Sequence, residues 1–166
     1  MEPSSRNMAM GRITGLPEGR EIVVAMHTAL PPSEEEWNAW VAMLEERSRA
    51  VDWDLARVGN LAITDGGAPD LTQRAPVNAL IAQGRTYPNV ALVTVSTVVR
   101  TVARAFTLFN PRFAVFVPGH IVDALAWLGV QPGNERAVLE ALVEIERDAL
   151  GPGRVATLGA IRRALR

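Results

Sequence analysis

Four strand-length apolar runs, separated by segments long enough for helices, constrain this chain more than any other feature. Residues 21–26, 60–64, 89–95 and 113–117 are rich in Val, Ile, Leu and Phe, as buried strands are. Helical patterns follow them at 33–50, 76–84, 98–109 and 119–128. Strands alternating with helices of this length are joined by right-handed crossovers, which sets the strands parallel in one sheet with helices around it. A shorter run at 8–14 reaches the first of these strands through Leu16-Pro17-Glu18-Gly19, a turn sequence. A hairpin therefore opens the fold. The expectation is an α/β domain over 8–130, with a mixed, mostly parallel sheet and flanking helices. A C-terminal helical extension, 131–166, packs on the domain or on a partner.

Local signals place several helix boundaries. Ser33 with Glu36 makes a reciprocal capping box, and Glu34, Glu35 and Glu36 oppose the positive end of the dipole. Trp37, Trp40, Val41 and Leu44 then fall on one face, suited to covering a sheet. Asn134 caps a helix to Leu150 with Val138, Leu142, Ile145 and Ala149 along one stripe.

The run 60–64 breaks into Asp65-Gly66-Gly67-Ala68-Pro69-Asp70-Leu71-Thr72. Two helix starts compete after it. Asp70 with Gln73 makes a capping box, but Pro76 then falls inside the helix at a cost of about 3 kcal/mol. A start near Ala75 avoids that cost and is favoured, leaving 65–74 as a long exposed loop. Three roles suit the loop. Its glycines and free N–H groups could cradle an anion, although no lysine is near and Asp65 and Asp70 repel phosphate. It could dock a partner, with Asp65, Gly66, Gly67, Asp70 and Thr72 as the contacts. Or it is a plain turn.

Composition excludes other chemistry. All 17 basic residues are arginine, which removes a phosphate-loop lysine and Schiff-base catalysis. Without cysteine there is no thiol catalysis, disulfide or thiolate metal site, and two histidines are too few for a histidine-rich metal centre. No cofactor or metal is expected. A net charge of −1 argues against nucleic-acid partners, and no run reaches membrane-spanning length. The N-terminus lacks the apolar core of a signal peptide, so a cytoplasmic location is expected.

Ligands of parallel sheets gather beyond the carboxyl ends of the strands, where His27, Asp65, Ser96 and His120 all fall. A serine nucleophile, a histidine base and an orienting aspartate would suit a hydrolase, but Ser96 lacks a G-x-S-x-G elbow and also reads as a helix cap.

The helix 98–109 is apolar on most of its circumference. Val98, Val102, Ala105 and Phe109 form one face, Val99, Ala103 and Phe106 a second, and Arg100 and Arg104 interrupt them. One stripe serves the sheet, so the second must meet something. Burial beneath the C-terminal helices is the plain outcome. Self-association or a lipid or apolar-ligand groove is the functional one, with Val99, Phe106 and Phe109 as its contacts. The arm after Gly151-Pro152-Gly153 carries Arg154, Arg162, Arg163 and Arg166. It either folds back onto one of the acidic helices, 33–50 or 134–150, or binds a partner.

This element order, with a glycine junction at 60–74 after the strand that follows the first long helix, resembles the STAS superfamily. The likeness spans 11–130 and points to diverged stand-alone SpoIIAA-like (anti-sigma-factor-antagonist-like) domains. It implies docking to a protein partner at the strand-to-helix junction, controlled in that family by a phosphorylated hydroxyl residue after an aspartate. Here Asp65 would be that aspartate, Gly66 and Gly67 stand where hydroxyls are expected, and Thr72 is the nearest hydroxyl. The function expected is a non-enzymatic regulatory or protein-interaction module, with a homodimer allowed. A carrier or sensor of a small apolar ligand is the alternative, and a hydrolase using Ser96 a third.

Overall fold

The computed structural model describes residues 6–107 and 110–165, the side chain of Phe106 excepted. It is an α/β domain built on a five-stranded mixed sheet, mostly parallel, in the order β1-β2-β3-β4-β5. The strands are β1 (Met8–Ile13), β2 (Glu21–His27), β3 (Val58–Thr64), β4 (Val90–Thr94) and β5 (Phe113–Phe116). β1 and β2 form the antiparallel hairpin, and β2 to β5 run parallel.

Helices α1 (Glu34–Ala50), α2 (Leu71–Gln83) and α3 (Thr97–Thr107) make the three crossovers, each one strand further along the sheet. Right-handed connections that advance in one direction leave their helices on one face. Trp37 and Trp40 of α1 accordingly pack with Val23, Ala25 and Val58, and Val77 of α2 joins them. The opposite face carries Ile22, Val24, Leu61, Ile63, Ala91 and Val93, alternating with the first set as a pleated strand requires.

That second face is covered by α4 (Ile121–Trp127), α5 (Glu135–Ala149) and α6 (Ala156–Ala164). Leu125, Val138, Leu142, Leu158 and Ile161 from these three helices belong to one core with the sheet. α5 lies against β1 and comes close at Gly11, where a Cβ would fall 2.6 Å from Ile145 Cδ1 and the isoleucine would have to move. Among the described residues, no helix is long and apolar enough to cross a membrane.

Capping residues set the α1 boundary as the sequence suggests. Ser33 Oγ accepts from Glu36 N at 3.2 Å, and Glu36 Oε2 accepts from Ser33 N at 2.7 Å. The other Glu36 oxygen accepts from Asn7 and Met8 N–H, so one carboxylate closes a helix start and the end of an edge strand. Asn134 behaves differently. It precedes α5 but its side chain donates to the Gln131 carbonyl at 3.2 Å and caps nothing.

Candidate functional site

The carboxyl edge of the parallel strands is where an α/β sheet offers its ligands a place. In this chain α6 occupies it. Both carboxylate oxygens of Asp65 accept from the first turn of α6, Oδ2 from Ala156 N and Oδ1 from Thr157 N, each at 2.7 Å. Val155 precedes the helix and offers no side-chain cap, so an aspartate ninety residues upstream supplies it. The fully buried Thr157 hydroxyl donates to the Thr64 carbonyl at 2.9 Å and accepts from Val95 N at 3.3 Å. Glu146, also buried, accepts from Val155 N at 2.7 Å and closes the Gly151-Pro152-Gly153 turn. The C-terminal arm is thus held by apolar burial and helix capping at the sheet edge. Among the described residues, Arg162 and Arg163 form no ion pair with either acidic helix.

The glycine junction is a joint as well. Gly67 N donates to the Thr28 carbonyl at 2.8 Å, and Thr64 Oγ1 donates to the Gly67 carbonyl at 2.7 Å. A Cβ on Gly67 would fall 2.5 Å from the Thr28 oxygen and closer still to that of Leu30. The glycine is there because two backbones meet.

The helix after it starts earlier than the proline suggests. α2 begins at Leu71, and Asp70 with Gln73 forms the full capping box at 2.8 and 3.0 Å, with Pro76 inside the helix. The N–H that Pro76 lacks would have met the carbonyl of Thr72, an exposed residue. The box satisfies two N–H groups, and Trp37 Nε1 donates to the Gln73 carbonyl, which ties the first turn of α2 to α1. The expected long loop over 65–74 shrinks to a tight connection. Asp70 is committed to its cap, while Leu71 and Thr72 stand exposed at the start of α2.

The four residues of the hydrolase arrangement do reach this edge, three of them engaged elsewhere and His27 buried. Ser96 Oγ accepts from Val99 N at 3.2 Å and caps α3. His120 is exposed and pairs with Asp123 at 2.7 Å. His27 is buried beside Trp37, with no hydrogen-bond partner for Nδ1. Burial lowers its imidazole to about 4, against the opposing pull of Glu36. No hydrogen bond among the described residues joins Ser96, a histidine and Asp65. Nor do three His, Asp or Glu side chains gather there to hold a metal ion.

What the edge leaves open lies on α3. The C-terminal helices pack on the other face of the sheet, so they do not bury this one, contrary to the plain expectation. Ala103 is buried and Val99 half-buried, while Val98 is 74% and Val102 55% exposed, with Ala105 exposed beside them. The stripe carrying Val98 and Val102, not the one carrying Val99, is therefore free. Phe109 and the side chain of Phe106 lie outside the described residues. Leu71 (83% exposed) and Val95 (43%) are exposed at the starts of α2 and α3, which follow neighbouring strands.

Two clefts open to solvent, of ≈ 520 Å³ (Arg6, Met8, Met10, Glu35 and Glu36 among its lining) and ≈ 360 Å³ (Arg136, Leu139, Glu140, Arg162 and Leu165), have charged rims and include no residue of α3. The apolar cavity between α1, α2 and the sheet measures ≈ 40 Å³ and is lined by Val23, Leu44 and Leu80 among others. That is room for about one water molecule, against several hundred Å³ for a typical organic ligand.

Compared with protein-family models, with curated proteins and with solved structures, the chain shows no match.

Proposed function

We propose that this protein is a non-enzymatic interaction module that docks a protein partner through the start of α2 and the outer stripe of α3. One observation carries this reading: Leu71, Val95, Val98 and Val102 are all exposed, at the start of α2 and along α3, while α6 is capped onto the sheet edge. Grouped exposed apolar side chains on a rigid scaffold are how soluble domains present a contact surface. Thr72 sits on the same border, so the resemblance to antagonist-type STAS domains and the exposed surface point to one place. The role is then regulatory, by presence or absence of the partner, and Asp65, Gly66 and Gly67 act as the frame that aims α2. A carrier of an apolar ligand has less support, because the core cavity measures ≈ 40 Å³ and the larger clefts are open and lined partly by charged side chains.

Site-specific photo-cross-linking in the source cells tests this. A photoreactive residue at position 98 should give a discrete protein adduct that one at position 136, exposed on α5, does not. Val102→Glu should abolish the adduct. Equal labelling at both positions, or none at 98, would refute the reading.

A further inference from the structure

A buried polar row crosses the carboxyl ends of the first three parallel strands. His27, Thr64 and Thr94 are neighbours in register and all buried. The two threonines are satisfied. Thr64 Oγ1 donates to the Gly67 carbonyl at 2.7 Å and Thr94 Oγ1 to the Thr64 carbonyl at 2.6 Å. Each also accepts the backbone N–H two residues further on. His27 is different. Its Nδ1 is buried without a partner, and its ring lies 6.4 Å from that of Trp37, tilted by 35°. An unbonded ring nitrogen in the interior costs stability, and a proton placed there costs more.

Trp37 connects that ring to α2. Its Nε1 donates to the Gln73 carbonyl, and the Gln73 side chain reaches the Pro32 carbonyl at 3.4 Å. In the first turns of α2, Leu71, Thr72, Ala75 and Pro76 are exposed, and the one fully buried residue, Leu80, comes two turns later. We propose that His27 and Trp37 form an acid-opened latch. With His27 neutral the indole stays packed on it and holds the first turn of α2; with His27 protonated that turn is released, together with Leu71 and Thr72. The consequence for docking rests on the interaction reading above, and the latch itself does not.

The charges around the ring set the direction of the response. Glu36 of α1 favours a proton on His27 but is outweighed by burial. Its oxygens are already taken by the N–H groups of Ser33, Asn7 and Met8. Arg6, ahead of β1, lines the same cleft as Glu36. At the end of β3, Asp65 is turned to α6. On α2, Asp70 is held in its capping box and Arg74 donates to the Pro69 carbonyl at 3.0 Å. Among the described residues, no carboxylate forms an ion pair with the His27 ring. The packed imidazole takes its proton only near 4 and a solvated one near 6.5, so the open form gains on the closed one between those values. From pH 7 to pH 5 its population rises about twentyfold. Glu36, held below 4.5, stays ionised over that window.

Hydrogen exchange of amide and indole protons at pH 7 and pH 5, corrected for intrinsic rates, tests the latch. The Trp37 indole N–H and the amides of Gln73, Arg74 and Ala75 should lose about twentyfold in protection at pH 5. They should remain far less protected than those of Val138 and Leu142 in α5. In His27→Leu the same four sites should keep their protection between the two pH values; His27→Gln gives that comparison if His27→Leu does not fold. Trp37→Phe keeps an aromatic ring but lacks the N–H, and should leave the three amides weakly protected at both. Circular dichroism of each variant confirms that it is folded. No loss in the wild type, a loss that persists without His27, or first-turn sites as protected as α5 would overturn the latch. A pH response surviving in Trp37→Phe would overturn the link through the indole. None of these readouts involves a partner, so a failed cross-link at position 98 leaves the latch standing, and a failed latch leaves the docking reading standing.

Discussion

His27 shows how one buried side chain links stability to pH. Its ring lies at the end of β2 beside Trp37, and Nδ1 has no partner. The unfolded imidazole takes a proton near 6.5 and the folded one only near 4, so the native state binds fewer protons between those values. Its stability is therefore intact above pH 6.5 and falls as pH drops toward 4, by about 3 kcal/mol. Glu36 adds a loss at lower pH. Burial disfavours its ionised form, but bonds from Ser33, Met8 and Asn7 outweigh that and hold the carboxyl below 4.5. Urea titrations should show the first loss in wild type and a flat response between pH 6.5 and 4.5 in His27→Leu. The same slope in both proteins would contradict the role of His27. The glycines give a second prediction at this scale. Gly67→Ala forces a methyl group between two backbone segments and should cost at least about 2 kcal/mol. Gly66, at φ +144° with open space around it, should tolerate alanine at about 1 kcal/mol of backbone strain. Equal losses would contradict the packing account.

Among the elements, α6 and α2 are held in opposite ways. α6 takes its cap from β3, and Asp65→Ala leaves two N–H groups of its first turn without an acceptor. A loss of about 2 kcal/mol in urea unfolding is expected, with Asp65→Asn intermediate because one oxygen remains. An unchanged midpoint for Asp65→Ala would mean that α6 is not held there. α2 buries little beyond Leu80 and carries Pro76 in its interior. Pro76→Ala restores a backbone donor on an exposed face and should raise stability by about 1–3 kcal/mol, read as a higher melting temperature. A lower one would show that the proline is needed where it stands. The sequence made α1 legible to the residue, because a capping box and an i, i+3, i+4, i+7 stripe are local. It misplaced α2 because part of what anchors its first turn is non-local: Trp37, 36 residues upstream, reaches the Gln73 carbonyl. Asp65 was legible as a junction residue, while its partner α6 lies ninety residues downstream and leaves no local trace.

At the scale of the whole molecule, the strand–helix alternation was enough to fix a mixed, mostly parallel sheet and its hairpin. It could not tell which stripe of α3 meets the sheet, since Val98/Val102 and Val99/Ala103 are equally apolar. The placement of α4, α5 and α6 on the opposite face then leaves the other stripe uncovered. The account as a whole holds that the sheet edge is closed by α6 and that the working surface is the lightly packed α2–α3 side. Site-resolved amide hydrogen exchange on the isolated protein measures both halves of that statement at once. The Ala156 and Thr157 amides should exchange only through global unfolding, and those of α2 through much cheaper local opening. Rapid exchange at Ala156 and Thr157, with α2 protected, would show an open edge and contradict the account.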